Sequence, residues 1–235
     1  PVGPNEEPLR RAVGRLLHLD DAERLAAYRR LLAGPAPDLA AVSERERRLV
    51  QMLVSALADQ ALTKDSSLRD GVHLVWSHPQ VLAELAETLG VLEDRIDHVH
   101  QLLRTHPDAP LQIHARYSRI EILAAMGLAG DRAKIAAWQS GVYEAKPANA
   151  EILAFTLDKS SGGFSPTTRY RDYAVSRSII HWESQSTTRE RSATGLRYRN
   201  HERDGRSILL FARERADDRA FWFLGPATYR GHVGE

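Results

Sequence analysis

A change of hydrophobic period partway along the chain limits what it can fold into. Up to about residue 103, apolar residues recur three and four apart. Beyond Thr105-His106-Pro107-Asp108-Ala109-Pro110 they gather into short runs instead. This pattern predicts an α+β chain with a boundary between residues 108 and 109. An all-α helical bundle (1–108) would precede a small, strongly curved β-rich domain or β-barrel (109–235) carrying one or two helices.

Helices are predicted over Pro8–Leu19 and Asp20–Leu32, with Asp20 and Asp21 as N-caps and Gly34-Pro35 and Pro37 as the stop. Ser43 to Glu46 reads S-x-x-E, a capping box that opens a stripe of Leu49, Met52, Leu53, Ala56 and Leu57. Further helices are predicted at 68–76, 79–89 and 92–103. On the last of these, His98 and His100 would point apart and make a poor metal pair. Ser118-Arg119-Ile120-Glu121 is a second capping box, with Gly127 as a stop. Strands are predicted at 141–144, 152–157, 178–183, 207–212 and 220–224, and Asp204-Gly205 marks a hairpin between extended stretches.

The 235 residues suffice for one or two domains with a hydrophobic core. No apolar run is long enough to span a bilayer and no signal segment opens the chain, so no membrane partner is expected. The absence of Cys excludes disulfides and thiolate zinc sites and fits a bacterial cytoplasmic location. A net charge of +1 hides an asymmetry: from Ser161 to Arg215 eleven Arg face six acidic residues. Such a local surplus is the electrostatic footprint of a nucleic-acid face, or else a solvated surface whose Arg residues pair with nearby acids.

The segment 152–186 concentrates chemistry. Gly162 and Gly163 permit close backbone approach, and Arg169, Tyr170, Arg171, Asp172 and Tyr173 set guanidinium groups, phenols and one carboxylate side by side. Phosphates attract Arg and bases stack on aromatic rings, so nucleic acid is the expected partner. A base taken out of the duplex needs flat walls, an acceptor for its amine and an apolar spot for a methyl group. Tyr170 and Tyr173 would form walls, Asp172 would accept the amine, and Trp182 with Trp138 or Phe164 would close the pocket. Phe164, after two glycines, would also serve as a wedge. Thr-Thr-Arg occurs twice; Thr167, Thr168, Arg169, Arg171, Thr187, Thr188, Arg189 and Arg191 suit phosphate oxygens, as do the backbone amides at Gly162 and Gly163. Packing alternatives stand beside these roles: Tyr170 and Tyr173 as core-edge tyrosines, Trp182 as core, and Asp172 as a turn cap or a partner of Arg169 or Arg171.

The wording LDKSSGGFSPTTRYRDYAVS…HWESQSTT…TGLRY resembles the C-terminal module found behind DEAD/DEAH-box helicase motors, often with a phospholipase-D-type nuclease at the front. The resemblance covers roughly residues 110–232. It implies an SRA-type reader within the PUA/EVE/ASCH group of small β-barrels, serving type IV, modification-dependent restriction. Its implied task is to recognise 5-methylcytosine by base flipping, with the helicase and nuclease domains of the same protein as partners. Readers of another base mark or of a phosphorothioate backbone remain open.

No G-x-x-x-x-G-K-[ST] loop occurs, so ATP hydrolysis is not expected of this chain, which reads as the C-terminal piece of a larger protein. Two other classes stay in view. Asp158 with Glu183-Ser184-Gln185 faintly resembles the D…E-x-K core of Mg-dependent nucleases. The helical half would also suit a connector to a motor. No catalytic residue, metal or cofactor is assigned from the sequence.

Overall fold

The computed structural model describes residues 5–158, 172–184 and 188–232, which gather into two compact units, Pro1–Trp138 and Gln139–Glu235.

In the first unit, helices start where side chains can take up orphan amides. α1 (Glu6–Val13) runs into a short 3-10 turn (Gly14–Leu16), and α2 (Ala22–Leu32) follows with Asp21 as its N-cap, accepting from the Arg24 amide at 2.8 Å. α3 (Glu44–Ala58) begins at Ser43, whose hydroxyl accepts from the Glu46 amide at 3.2 Å. α4 (Leu68–Trp76) and α6 (Arg119–Ala125) carry full reciprocal boxes, Ser67 with Asp70 and Ser118 with Glu121. α5 (Pro79–Glu93) opens on proline, whose missing N–H costs nothing there. α6 ends in a Schellman turn: Gly127 has φ +71°, and the Leu128 amide donates to the Leu123 carbonyl at 2.9 Å.

α3 is the central element. Every residue from Leu49 to Ala58 is buried, and α1, α2, α4 and α6 pack against it. Its two buried polar side chains hold the segment after α6. Gln51 Nε2 donates to the Gly130 and Arg132 carbonyls at 3.1 and 2.7 Å, and Ser55 Oγ donates to the Ala133 carbonyl at 2.7 Å. Lys134 Nζ donates to the Asp59 carbonyl at 2.9 Å. These bonds place the compact division at 138/139, whereas the change of sequence texture lies at 108/109.

The helix expected over 92–103 is not formed. α5 continues to Glu93, the chain turns, and β1 (Gln101–Leu102) pairs antiparallel with β2 (Gln112–Ile113). β-branched Ile96 and Val99 and turn-forming Asp94 and Asp97 oppose a helix there. β3 (Arg116–Ser118) leads directly into α6.

A buried charge cluster joins these pieces. The fully buried Arg24 guanidinium donates to Asp21 from Nε, to Glu121 at 3.0 Å from NH1 and to the Arg116 carbonyl at 2.6 Å from NH2. It also lies 4.0 Å from the centre of the Tyr117 ring. Burial alone would push the Glu121 carboxyl up, but His18, Arg24 and Ser118 together hold it at about 2, below its ordinary 4.5. The His18 contact measures 2.6 Å.

The second unit holds β4 (Val142–Ala145), β5 (Ala150–Thr156), β6 (Tyr173–Ala174), β7 (Ile180–His181), α7 (Ala193–Arg199), β8 (Ser207–Arg213) and β9 (Ala220–Ala227). Within it the order is β4-β5-β8-β9, with β5 and β8 parallel and the outer pairs antiparallel. All seven residues of β5 are buried, and the Phe211 and Phe223 rings stack at 4.6 Å.

Three expectations are corrected here. No barrel closes among the described residues: the sheet is mixed and open, because parallel strands need a crossover, and the chain between β5 and β8 supplies one containing α7. Asp204-Gly205 does not close a hairpin; it turns the end of α7 into β8. Gly205 has φ +59°, and the Arg206 amide reaches the His201 carbonyl at 2.7 Å. The strand expected over 178–183 is limited to β7, paired with β6 in a separate two-stranded ribbon.

Removing one partner from a buried ion cluster strands the others. Arg24→Ala should lower stability to urea by about 3–5 kcal/mol. The contribution of Glu121 should be complete above its ordinary value and fade as pH falls towards 2, so Glu121→Gln should flatten the acid side of the stability profile.

Candidate nucleic-acid interface

The ribbon β6–β7 gives the second unit an unusual surface. Tyr173 pairs with His181 and Ala174 with Ile180, and the Tyr173 and His181 rings stack at 4.8 Å. Beyond the pairs, the Val175 and Ser176 amides both donate to the Ile179 carbonyl, at 2.8 and 3.1 Å, closing the tip. Asp172 ties the base of the ribbon by accepting the Glu183 amide at 2.9 Å. Tyr173, Val175 and Ile179 are about half exposed, and Arg177 stands exposed between the latter two. Apolar groups held this far out cannot stabilise the fold much and are available to a partner.

The approach to α7 is built just as tightly. Ser192 caps the helix, accepting the Gly195 amide at 3.1 Å, and its hydroxyl donates to the Arg189 carbonyl at 2.7 Å. Gly195 is required by this contact: a Cβ there would meet the Arg189 carbonyl and lie 2.8 Å from the Glu190 carbonyl. The side chains of Arg189 and Arg191 are left exposed, and Thr188 is half-buried.

The second unit also holds a charge network. Glu151, fully buried on β5, accepts from Arg197 Nε at 2.7 Å and from Arg206 NH1 at 3.1 Å, both on Oε1. Glu144 adds a second carboxylate to the same two guanidinium groups, at 3.5 and 3.7 Å. The other Glu151 oxygen, Oε2, is buried with no hydrogen-bond partner among the described residues. Burial raises the Glu151 carboxyl above its ordinary value against the pull of both Arg residues. Burial, then the nearby Glu151 charge, raises the Tyr198 phenol, so it stays a neutral donor. Trp182 meets Tyr198 edge to face at 5.6 Å, linking the end of the ribbon to α7.

These contacts redistribute the positive charge seen in the sequence. Arg197 and Arg206 serve the Glu151 network, Arg199 pairs with Glu190 at 2.6 Å, and Arg203 pairs with Asp204 at 2.9 Å. Arg213 is partly buried, bonded to the Asp218 carbonyl at 2.7 Å and set over the Phe221 ring at 4.8 Å. Among the described residues Arg177, Arg189 and Arg191 have no ion-pair partner and are exposed.

Of the residues singled out from sequence, Asp172, Tyr173 and Trp182 fall on or beside the ribbon, and Thr188, Arg189 and Arg191 on the approach to α7. Trp138 lies in the first unit, buried, with Arg119 5.2 Å from its ring centre and donating to its carbonyl at 2.9 Å. Gly162, Gly163, Phe164, Thr167, Thr168, Arg169, Tyr170, Arg171 and Thr187 lie outside the described residues. Asp158 follows β5, its amide bonded to the Glu214 carbonyl at 2.7 Å. Sequence reasoning missed Glu151, Tyr198 and the site role of Arg177. An acidic residue among the apolar residues of AEILAFT was the one available signal for Glu151.

A family model described as a domain of unknown function, DUF3427, matches residues 111–234. No curated protein and no solved structure matches the chain. No helix among the described residues is long and apolar enough to cross a membrane.

Gly195→Ala should cost about 1–3 kcal/mol by overpacking and should displace the Arg189–Arg191 segment. Urea denaturation measures the first effect, and an altered proteolysis rate at Arg189 and Arg191 reports the second.

Proposed function

The chain belongs to the DUF3427 family, and from that premise we propose that its second unit reads a mark on double-stranded DNA for an ATP-dependent restriction system. The mark is 5-methylcytosine, presented by base flipping. The observation that carries this reading is the joint exposure of a ring, apolar groups and guanidinium groups that have no ion-pair partner among the described residues: Tyr173, Val175 and Ile179 on the ribbon, with Arg177, Arg189 and Arg191. A two-stranded ribbon is narrow enough to enter a DNA groove, and Arg side chains beside it suit phosphate oxygens. Tyr173, Trp182 and Tyr170 are the assigned stacking groups, and Phe164 the wedge.

Two carboxylates compete for the acidic partner of the base amine. Asp172 spends Oδ1 on the Glu183 amide, which makes it a support of the ribbon as well. Glu151 has an oxygen that no described group satisfies, and its charge acts on the Tyr198 phenol that meets Trp182. A second reading, recognition of a phosphorothioate backbone, is favoured by Val175 and Ile179 flanking Arg177. An apolar seat beside a cation suits sulfur and leaves the base stacked.

Binding of the chain to matched duplexes, unmodified, 5-methylcytosine-bearing and phosphorothioate-bearing, across a salt series tests both readings. Tyr173→Ala should cut affinity for the preferred marked duplex roughly 5- to 150-fold, the equivalent of about 1–3 kcal/mol of stacking, and bring it near the unmarked level. Arg189→Ala should weaken all duplexes alike and lower the salt slope by about one. Asp172→Asn, which keeps the acceptor at the ribbon base, and Glu151→Gln should separate the two carboxylates by which one removes discrimination. Equal, steeply salt-sensitive binding to all three duplexes would contradict a reader and favour the connector role.

A further inference from the structure

We propose that Asp20, His98 and His100 in the first unit bind a divalent first-row transition ion of the zinc class. The sequence pattern predicts a helix carrying both histidines, where side chains two apart diverge. The end of α5 at Glu93 releases them into a turn, and their rings come together at 4.3 Å between centres. Asp20, held at the entry to α2, completes the cluster: one ligand atom from each residue lies within 4.8 Å of the others.

The chemistry of the donors suits a cation. His98 Nε2 faces Asp20 Oδ2 at 3.8 Å, while His98 Nδ1 sits 2.7 Å from the Asp97 carboxylate. In a carboxylate–imidazole–metal arrangement Asp97 would hold the Nδ1 proton, and the ion would take the place of the Nε2 proton that faces the His114 carbonyl. Asp20 is buried and oriented by the Arg116 amide and guanidinium, at 2.9 and 3.0 Å. His114, at φ +77°, holds a backbone conformation rare for a side-chain-bearing residue, and its carbonyl lies 3.1 Å from His98 Nε2.

A proton on His98 would satisfy both Asp97 and the His114 carbonyl without any metal. It would not satisfy His100, whose Nε2 is buried without a hydrogen-bond partner among the described residues. That buried ring nitrogen, beside His98 and within reach of Asp20, is the group a bound cation would satisfy. Metal–ligand bonds of about 2.0–2.1 Å in a tetrahedron require ligand separations of roughly 3.3 Å, so side-chain rotations of about 1 Å close the site. Nearby Asp21 and Asp97 add negative charge against Arg24 and Arg116, and the mixed imidazole–carboxylate set selects zinc-like ions over calcium or magnesium. Three protein ligands leave a position for water. The bound ion would pin the turn after α5 to the start of α2.

The test is Co²⁺ titration of the chelator-stripped 235-residue chain, read by visible absorption, followed by displacement with Zn²⁺. One equivalent of Co²⁺ should develop ligand-field bands that Zn²⁺ abolishes, and Zn²⁺ should raise the melting temperature. His100→Ala should weaken binding by about tenfold or more and erase the Zn²⁺-induced rise. Because His100 Nε2 has no described protein partner, this variant should melt like the parent in chelator. Asp97→Asn, which leaves all three ligands in place, should cost about tenfold in affinity. His98→Gln gives an independent check on the ligand set. Absence of stoichiometric uptake, or uptake unchanged in both His100→Ala and His98→Gln, would overturn the site.

Discussion

A guanidinium taken out of water must be matched on all sides, and the first unit is arranged around meeting that demand for Arg24. Its partners come from the α2 cap (Asp21), from the chain entering α6 (the Arg116 carbonyl and Tyr117 ring) and from the α6 capping residue Glu121. Glu121 therefore serves twice, closing its own helix start and neutralising a charge 97 positions away. Because the pairing fixes α2 against β3 and α6, it also fixes Asp20, one residue before the cap, which Arg116 grips from the other side. Such clusters add less net stability than their contact count suggests, since desolvation offsets attraction. Their strength is that few alternative arrangements satisfy every member.

The second unit has the same kind of problem at Glu151 and leaves it incompletely solved. Arg197 and Arg206 both bond one oxygen, and the other has no described partner. In the first unit, Glu121 instead uses both oxygens, with Oε1 on Arg24 and Oε2 on His18 and Ser118. The contrast separates a cluster that holds a fold from one with capacity for a further donor. Exposed Tyr173, Arg177, Arg189 and Arg191 on the ribbon and the α7 approach belong to this same unit. Their exposure contributes little to folding, which is why binding is the economical explanation for them.

What the sequence revealed divides by range. Ser43, Ser67, Ser118 and Gly127 mark helix ends through contacts three to five residues away, and Ser43, Ser118 and Gly127 were read in that way. Most strands of the second unit were legible as apolar runs. Asp204-Gly205 misled because a positive φ serves a helix-to-strand turn as well as a hairpin. α7 was hidden in TGLRYRN, which has too few apolar residues to show a helical period and leans on Ser192 and the packing of Gly195. The pairing of Arg24 with Glu121, the seating of Glu151 and the approach of Asp20 to His98 all depend on tertiary structure. No local pattern encodes them.

The central claim is that the ribbon and the α7 approach form the DNA-contacting surface. Amide hydrogen exchange on the chain, alone and with a marked duplex, tests it most directly. The account expects new protection concentrated over 172–184 and 188–199, stronger with the marked duplex than with its unmarked counterpart. Protection confined to the helices of the first unit, or identical for both duplexes, would contradict it.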